Sequence, residues 1–489
     1  MKSFGNIAKD GQVRAVASGA LTDGTPVVVN SDGTVSVIGG TSRSQVLGTE
    51  TVFESANSKH LSAAYDTTND KVLIAYSDIG NLQKGTAIVG TVSGSTINFG
   101  SAEVFESGAV NFTATGFDPS EGRFLIAYRD AGDNNKGKAV VATISGTSVN
   151  FSSVYVFNSA GNTPYNSIVY DTPSGNMVIT YTDSANNQYG TSVVATIDGA
   201  SVSFGTPVVF ASASTGWVNS VYDSNAEKVF IGFEDQGNGD YPTGIVGTVS
   251  GTSINFGSET VAASHLSNYV RVGFDSTNNK VVMVWRNRDD SDTGYAVVGE
   301  ISGTSVSFGT PVKFSGSESV IMGSPDVVEF DTTSGGILIA YEDTDRDAVV
   351  IRGVISGTTI TFDTPVVLDT GGGSSHEHIG LVYDPDEDRH VVFYKDGAES
   401  SYSTAIVYSP AYTTSNLTSE NFIGFSDGAF ADTDSAVINI TNTINRNQSS
   451  LTAGQTYFVQ VDGTLSETAD DPSVTAGTAI SATELIVKG

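Results

Sequence analysis

Residues 206–257 read TPVVFASASTGWVNSVYDSNAEKVFIGFEDQGNGDYPTGIVGTVSGTSINFG. Trp217–Asp223 (WVNSVYD) is a strand-like run, and the polar SNAEK after it turns the chain. Val229–Asp235 (VFIGFED) is apolar at nearly every position, the pattern of a strand covered on both faces. The loop QGNGDYPT leads into GIVGTVSG, and a tight turn at Gly251-Thr252 leads into SINFGSETV. Four antiparallel strands in some fifty residues, repeated, are the signature of a β-propeller blade.

The stretch recurs. A Tyr or Phe precedes Asp at Asp66, Asp118, Asp171, Asp223, Asp275, Asp331 and Asp384, with spacings of 52, 53, 52, 52, 56 and 53 residues. Twelve positions after each stands Asp78, Asp130, Asp183, Asp235, Asn287, Asp343 or Asp396. Units this small cannot bury a core alone and must pack on one another. Fourth strands are expected near Phe99, Phe151, Phe204, Phe256, Phe308 and Phe362, one short of the seven copies. Gln45–Phe53 (QVLGTETVF) matches that strand and supplies the missing one from the N-terminal side. The expected fold is therefore all-β: a seven-bladed propeller over residues 41–410 whose N-terminal strand closes the last blade. The first and third connections of each copy are short and uniform, whereas the second and fourth vary. This assigns a smooth face and a loop face, with both chain flanks leaving on the smooth one.

Composition agrees. Only 16% of the 489 residues are charged, 54 are glycine, and no long helical periodicity is present. A formal charge of −31 opposes nucleic acid and anionic membrane and favours solubility. With no cysteine, disulfides are excluded. The start, MKSFGNIAKDGQ, lacks a signal-type apolar run, so export by a cleaved leader is not expected. Apolar runs such as Lys280–Trp285 are too short to span a bilayer.

The flanks resemble each other. Leu21–Val35 (LTDGTPVVVNSDGTV) and Leu451–Leu465 (LTAGQTYFVQVDGTL) align without a gap, each with an Asp-Gly hairpin signal. Residues 1–40 and 411–489 read as one small β anchor domain formed by both termini, into which the propeller is inserted. Two unrelated hairpins sharing a turn sequence are the plainer alternative. Three further runs, NFIGFSDGAFADTDSAVINITNT from Asn421, LTAGQTYFVQVDGTL from Leu451 and AGTAISATELIVKG from Ala476, carry a loose likeness over about seventy residues. They resemble terminal modules of bacteriophage virion appendages such as tail fibres, especially those of marine phages. The resemblance implies a virion protein released by lysis, with other virion proteins as partners at the anchor. It also implies a homo-oligomer, taken as a trimer. The ring's polarity, which points the variable loops away from the anchor, makes a host-surface glycan or protein the expected target, and the charge and short apolar runs leave nucleic-acid binding and membrane insertion unexpected.

Residues that repeat in every copy read as scaffold. The fourteen Asp/Asn positions suit turn hydrogen bonds better than a carboxylate ring for cations. Tyr76, Tyr128, Tyr181, Phe233, Trp285, Tyr341 and Tyr394 read as inter-blade core. Residues that do not repeat carry the candidate chemistry. His60, His265, His376 and His378 are expected in loops of the loop face. His60, His376 and His378 form a weak transition-metal candidate, against a plain reading as solvated loop. Arg271, Arg286 and Arg288 suit a carboxylated or sulfated sugar, against local pairing with Asp289, Asp290 and Asp292. Trp217 and Tyr241 are expected in loops of the fourth blade, as sugar platforms or as ordinary loop packing. No cofactor is expected; Ca²⁺ at acidic loops such as Asp130–Asn135 is a second ion to consider. No nucleotide-binding or hydrolase motif is present. The expectation is a non-enzymatic appendage whose loop face recognises its target. A purely structural filament and a polysaccharide-degrading enzyme at the histidines are the alternatives.

Overall fold

A computed structural model describes residues 11–40, 42–371, 374–413, 415–470 and 472–488. The chain divides into two compact units, Gln45–Pro410 and Met1–Ser44 with Ala411–Gly489.

The larger unit consists of antiparallel sheets following the repeat. Their inner strands are Ser58–Asp66, the second half of Glu103–Asp118, Ser167–Asp171, the second half of Val208–Asp223, Ser267–Asp275, Val328–Asp331 and His376–Asp384. Each pairs with the apolar second strand, such as Lys228–Asp235, where Val229, Phe230, Ile231 and Phe233 have no solvent exposure. Such strands are covered from both sides. One cluster packs Leu73, Phe124 and Tyr128 between the first two sheets, and another packs Phe230, Met283 and Trp285 between the fourth and fifth. Leu61, Tyr76, Val391 and Phe393 pack the seventh sheet against the first. The repeated aromatics Tyr76, Tyr128, Tyr181, Phe233, Trp285, Tyr341 and Tyr394 are all buried in these seams. Each contributes roughly 1.5–3 kcal/mol by leaving water.

The fourth strand differs from expectation in being split. Tyr189–Asp198 pairs with Ser201–Phe204 at one end and with the start of Val208–Asp223 at the other. The break falls at Gly205-Thr206-Pro207, where Pro207 has no N–H to give and Gly205 lies against the Thr252 carbonyl of the next sheet. At the seventh sheet both segments come from the N-terminal side, as Val46–Leu47 and Thr51–Glu54 pair with Tyr402–Ser409. Two of the expected fourth connections are not loops. Glu103–Asp118 and Val208–Asp223 each run for 16 residues from one sheet into the next.

Each of the fourteen repeated Asp/Asn side chains accepts a backbone N–H from the turn after it. Asp275 Oδ1, for instance, accepts from Thr277 at 2.8 Å and Asn278 at 2.9 Å, and Asp396 Oδ1 accepts from Ala398 at 2.8 Å and Glu399 at 3.1 Å. Their lone pairs hold the scaffold's turns.

In the smaller unit, one sheet interleaves both ends of the chain in the order Gln12–Val16, Ser435–Asn439, Phe422–Ser426, Pro26–Val29, Val35–Val37. A second sheet contains the hairpin Thr456–Val459 with Leu465–Ser466. The two Asp-Gly turns match bond for bond. Asp32 Oδ1 accepts from the Thr34 N–H at 2.9 Å and its hydroxyl at 2.6 Å, and Asp462 Oδ1 from those of Thr464 at 2.8 and 2.6 Å. Gly33 and Gly463 both take φ 81°, a value glycine adopts without strain. The boundary falls after Ser44 rather than residue 40, because Ser42–Arg43 pairs with Tyr412–Thr413 within this unit.

Candidate functional site

The position six residues before the repeated Asp is occupied in turn by His60, Phe112, Tyr165, Trp217, Tyr269, Pro325 and His378. Six of the seven are aromatic, and those six all have left-handed backbones, with φ of 54°, 53°, 57°, 49°, 52° and 55°. Side chains of this size seldom adopt that region, which costs roughly 1–2 kcal/mol per residue. The cause is a bulge. Lys59 faces Ser77 and Ser62 faces Ala75, so His60 and Leu61 share the single partner Tyr76. The same slip puts Phe112 and Thr113 opposite Tyr128, Trp217 and Val218 opposite Phe233, Tyr269 and Val270 opposite Trp285, and His378 and Ile379 opposite Tyr394. An extra residue re-aims the side chain that would otherwise follow the strand's alternation. The sixth sheet departs further: Ile321 faces Glu342 and Val327 faces Ala340, so five residues, with Pro325 among them, stand opposite Tyr341.

These six rings form a crown at the starting ends of the inner strands. Successive centroids are 5.3 Å (His378 to His60), 4.7 Å (His60 to Phe112), 5.4 Å (Phe112 to Tyr165), 4.8 Å (Tyr165 to Trp217) and 4.2 Å (Trp217 to Tyr269) apart. The gap at the sixth sheet is lined by Ile321, Gly323 and Pro325. Three guanidiniums stack on the crown: Arg129 on Phe112 at 4.7 Å, Arg271 on Trp217 at 5.4 Å and Arg286 on Tyr269 at 4.8 Å.

The crown surrounds a cavity of about 290 Å³. Polar groups close it below. Asn219 Oδ1 accepts from the Val272 N–H at 2.9 Å, Ser324 Oγ donates to the Leu61 carbonyl at 2.9 Å, and the Ala63 N–H donates to Asp326 Oδ2 at 2.8 Å. Among the described residues, two buried polar atoms of the cavity-lining side chains have no partner, Asn166 Oδ1 and His378 Nδ1. Burial holds His378 down to about 4; burial and then the neighbouring His378 hold His60 down to about 3, so both imidazoles are neutral at neutral pH. A second cavity of about 400 Å³ continues between the inner strands. There, burial raises Asp326 to about 7 and, together with Asp326, raises Glu329 to about 8.

Sequence-based candidates divide. Trp217, His60 and His378 come together in the crown, and they lie in strands rather than loops because the bulges that aim them belong to strands. His376 starts the strand His376–Asp384 and is fully buried elsewhere. Its Nδ1 lies 2.6 Å from the Arg346 carbonyl, and its Nε2 lies 2.6 Å from Asp369 and 3.5 Å from Asp396. The trio His60, His376 and His378 is therefore not brought together, since His376 turns its ring nitrogens to Arg346, Asp369 and Asp396. Asp369, His376 and Asp396 offer ligand atoms within 4.8 Å of one another, but both ring nitrogens already face acceptors. Ca²⁺ at Asp130–Asn135 is likewise displaced by lysine: Lys138 lies 2.5 Å from Asp130 and 3.0 Å from Asp133, and Lys136 lies 3.0 Å from Asp133.

Tyr241, at the start of Tyr241–Ser250, and His265, 6.2 Å from the Tyr295 ring, do not line the crown cavity. Arg288 is exposed and pairs with Asp240 at 3.4 Å, not with its sequence neighbours. Arg286 supports Tyr269 and lies 3.5 Å from Asp292. Phe112, Tyr165, Tyr269 and Asn166 were not singled out from sequence, although aligning the copies on their Asp exposes the aromatic column.

Among solved structures, the chain is similar to the BP39L lectin from Burkholderia pseudomallei, with 12% identity, 74% of this chain and 100% of that one covered, and a TM-score of 0.51. It is also similar to the Cps50 (Swd1) β-propeller domain of Myceliophteria thermophila (10% identity, 73% and 99% covered, TM-score 0.45) and to a leech intramolecular trans-sialidase (10%, 76% and 70%, 0.43). The larger unit is a β-propeller. Neither a protein family nor a curated protein matches it. At these identities the likeness concerns fold alone.

Proposed function

We propose that this chain is a non-catalytic saccharide-binding protein of a phage virion appendage, and that the aromatic crown binds a sugar of the host surface. The observation that carries the reading is a ring of six aromatic side chains held in left-handed backbone around a cavity with unpaired polar atoms. Strain retained at six aromatic positions around one cavity points to a use outside the scaffold. A saccharide suits both parts of the lining. Its apolar ring faces pack on aromatic rings, and its hydroxyls exchange hydrogen bonds with polar residues of the lining such as Asn166 and Ser375. The cavity lies at the small end of ligand pockets, which run about 300–1,000 Å³, so it fits one terminal or branch unit. The appendage setting rests on the terminal modules.

Glycan-array binding by the parent and by a Tyr165→Ala/Trp217→Ala variant tests the reading. Selective binding that disappears in a folded variant is the expected outcome. No saccharide bound by the parent, or binding unchanged in the variant, overturns it. Loss of host adsorption by particles carrying the variant tests the appendage role separately.

A further inference from the structure

The cavity lining includes a charge that no side chain neutralises by contact. Arg271 is 4% exposed, yet among the described residues no carboxylate forms an ion pair with it. Its guanidinium is fixed by three carbonyls: Nε donates to Ser324 at 2.6 Å, Nη1 to Val270 at 2.8 Å and Nη2 to Met322 at 3.0 Å. Five N–H groups are available on a guanidinium, so each Nη keeps one proton uncommitted. Asp326 acts on the group through space, but its Oδ2 accepts from the Ala63 N–H. Glu377, the acid that lines the crown cavity, lies 2.6 Å from Lys395. Burial lowers Arg271 only to about 10, so it remains a cation at neutral pH.

A buried charge without a counter-charge is costly unless a ligand completes it. Arg129 and Arg286 add two more cations on the crown of a chain with formal charge −31. The same stacking argues against a cationic ligand, since these aromatic faces already carry positive groups. We propose that the sugar unit bound in the crown carries an anionic group, a carboxylate or a sulfate, which the free Nη protons of Arg271 hold while its ring packs on Trp217. This inference rests on the saccharide reading above. Rigid presentation of paired donors is what makes arginine suited to planar acids.

The test is an array of uronate-, sialate- and sulfate-bearing saccharides, each printed beside its carboxyl-reduced or desulfated counterpart. The expected result is at least tenfold tighter binding of an acidic member over its neutral twin, weakening as salt rises. The pair that discriminates tells carboxylate from sulfate. Equal binding of both twins overturns the inference and leaves the saccharide reading standing. No binding of any saccharide removes both. Arg271→Lys, checked for folding by circular dichroism, should lose about tenfold for the acidic member and little for the neutral one. If that variant does not fold, the paired saccharides on the parent protein decide.

Discussion

Replacing Trp217 by glycine should leave a more stable protein than replacing it by alanine. Trp217 sits at φ 49°, where an L residue is strained by roughly 1–2 kcal/mol and glycine is not. Against this, the greater freedom of glycine in the unfolded chain costs about 0.4–1 kcal/mol. The balance favours glycine by about 0.5–1 kcal/mol. Both variants lose the same contacts with Tyr165, Tyr269 and Arg271, so those losses cancel in the comparison. The same pair of substitutions at Asn98, an exposed residue of the strand Thr96–Phe99 outside the left-handed set, should reverse the sign. There alanine should lead by about 0.5–1 kcal/mol. Urea unfolding followed by circular dichroism reads the difference as a midpoint shift at constant slope. Alanine leading at Trp217 as well would refute the claim that the crown is held against the backbone's preference.

Three further outcomes follow from the same structure. His376→Ala should destabilise by about 3 kcal/mol, because it strips Asp369 and Asp396 of a buried partner, whereas His60→Ala should cost far less; thermal unfolding of the two distinguishes them. Asp275→Ala removes the acceptor of the Thr277 and Asn278 N–H groups and should cost about 1–2 kcal/mol in the same assay. His378, held down to about 4, and His60, held down to about 3, contribute stability that is complete above pH 6.5 and drains as pH falls toward 4, because the unfolded chain takes up protons first. His378→Gln should therefore gain on the parent between pH 6.5 and 4 in a series of urea midpoints. A gap that does not change with pH would contradict the assigned neutral imidazole.

Much of the propeller was legible because each blade spells the same instruction. The run VFIGFED could only be a strand buried on both faces, and the Asp after each aromatic announced its turn. The strand at Gln45–Phe53 could be placed because its FGTPVVF-like pattern was one copy short elsewhere. The crown was half legible. His60, His378 and Trp217 stood out as residues that do not repeat in identity, yet the property that repeats at their position is aromaticity, shared by Phe112, Tyr165 and Tyr269. A bulge leaves no composition signal, so strand residues read as loop. His376 and His378, two apart, were expected on one surface; the bulge between Glu377 and Gly380 separates them instead. The absence of an ion pair at Arg271 depends on contacts across sheets, which no local spacing encodes.

The chain has two tryptophans, and they report on different places. Trp217 lies in the crown, while Trp285 is fully buried in the seam between sheets. Titrating the parent protein with an array-selected saccharide while following tryptophan emission is therefore the most direct measurement of whether the crown is the binding site. A saturable change in the parent that vanishes in a folded Trp217→Phe variant is the result the account predicts. The same change persisting in that variant, or saccharide binding that leaves the Trp217 emission untouched, would contradict it.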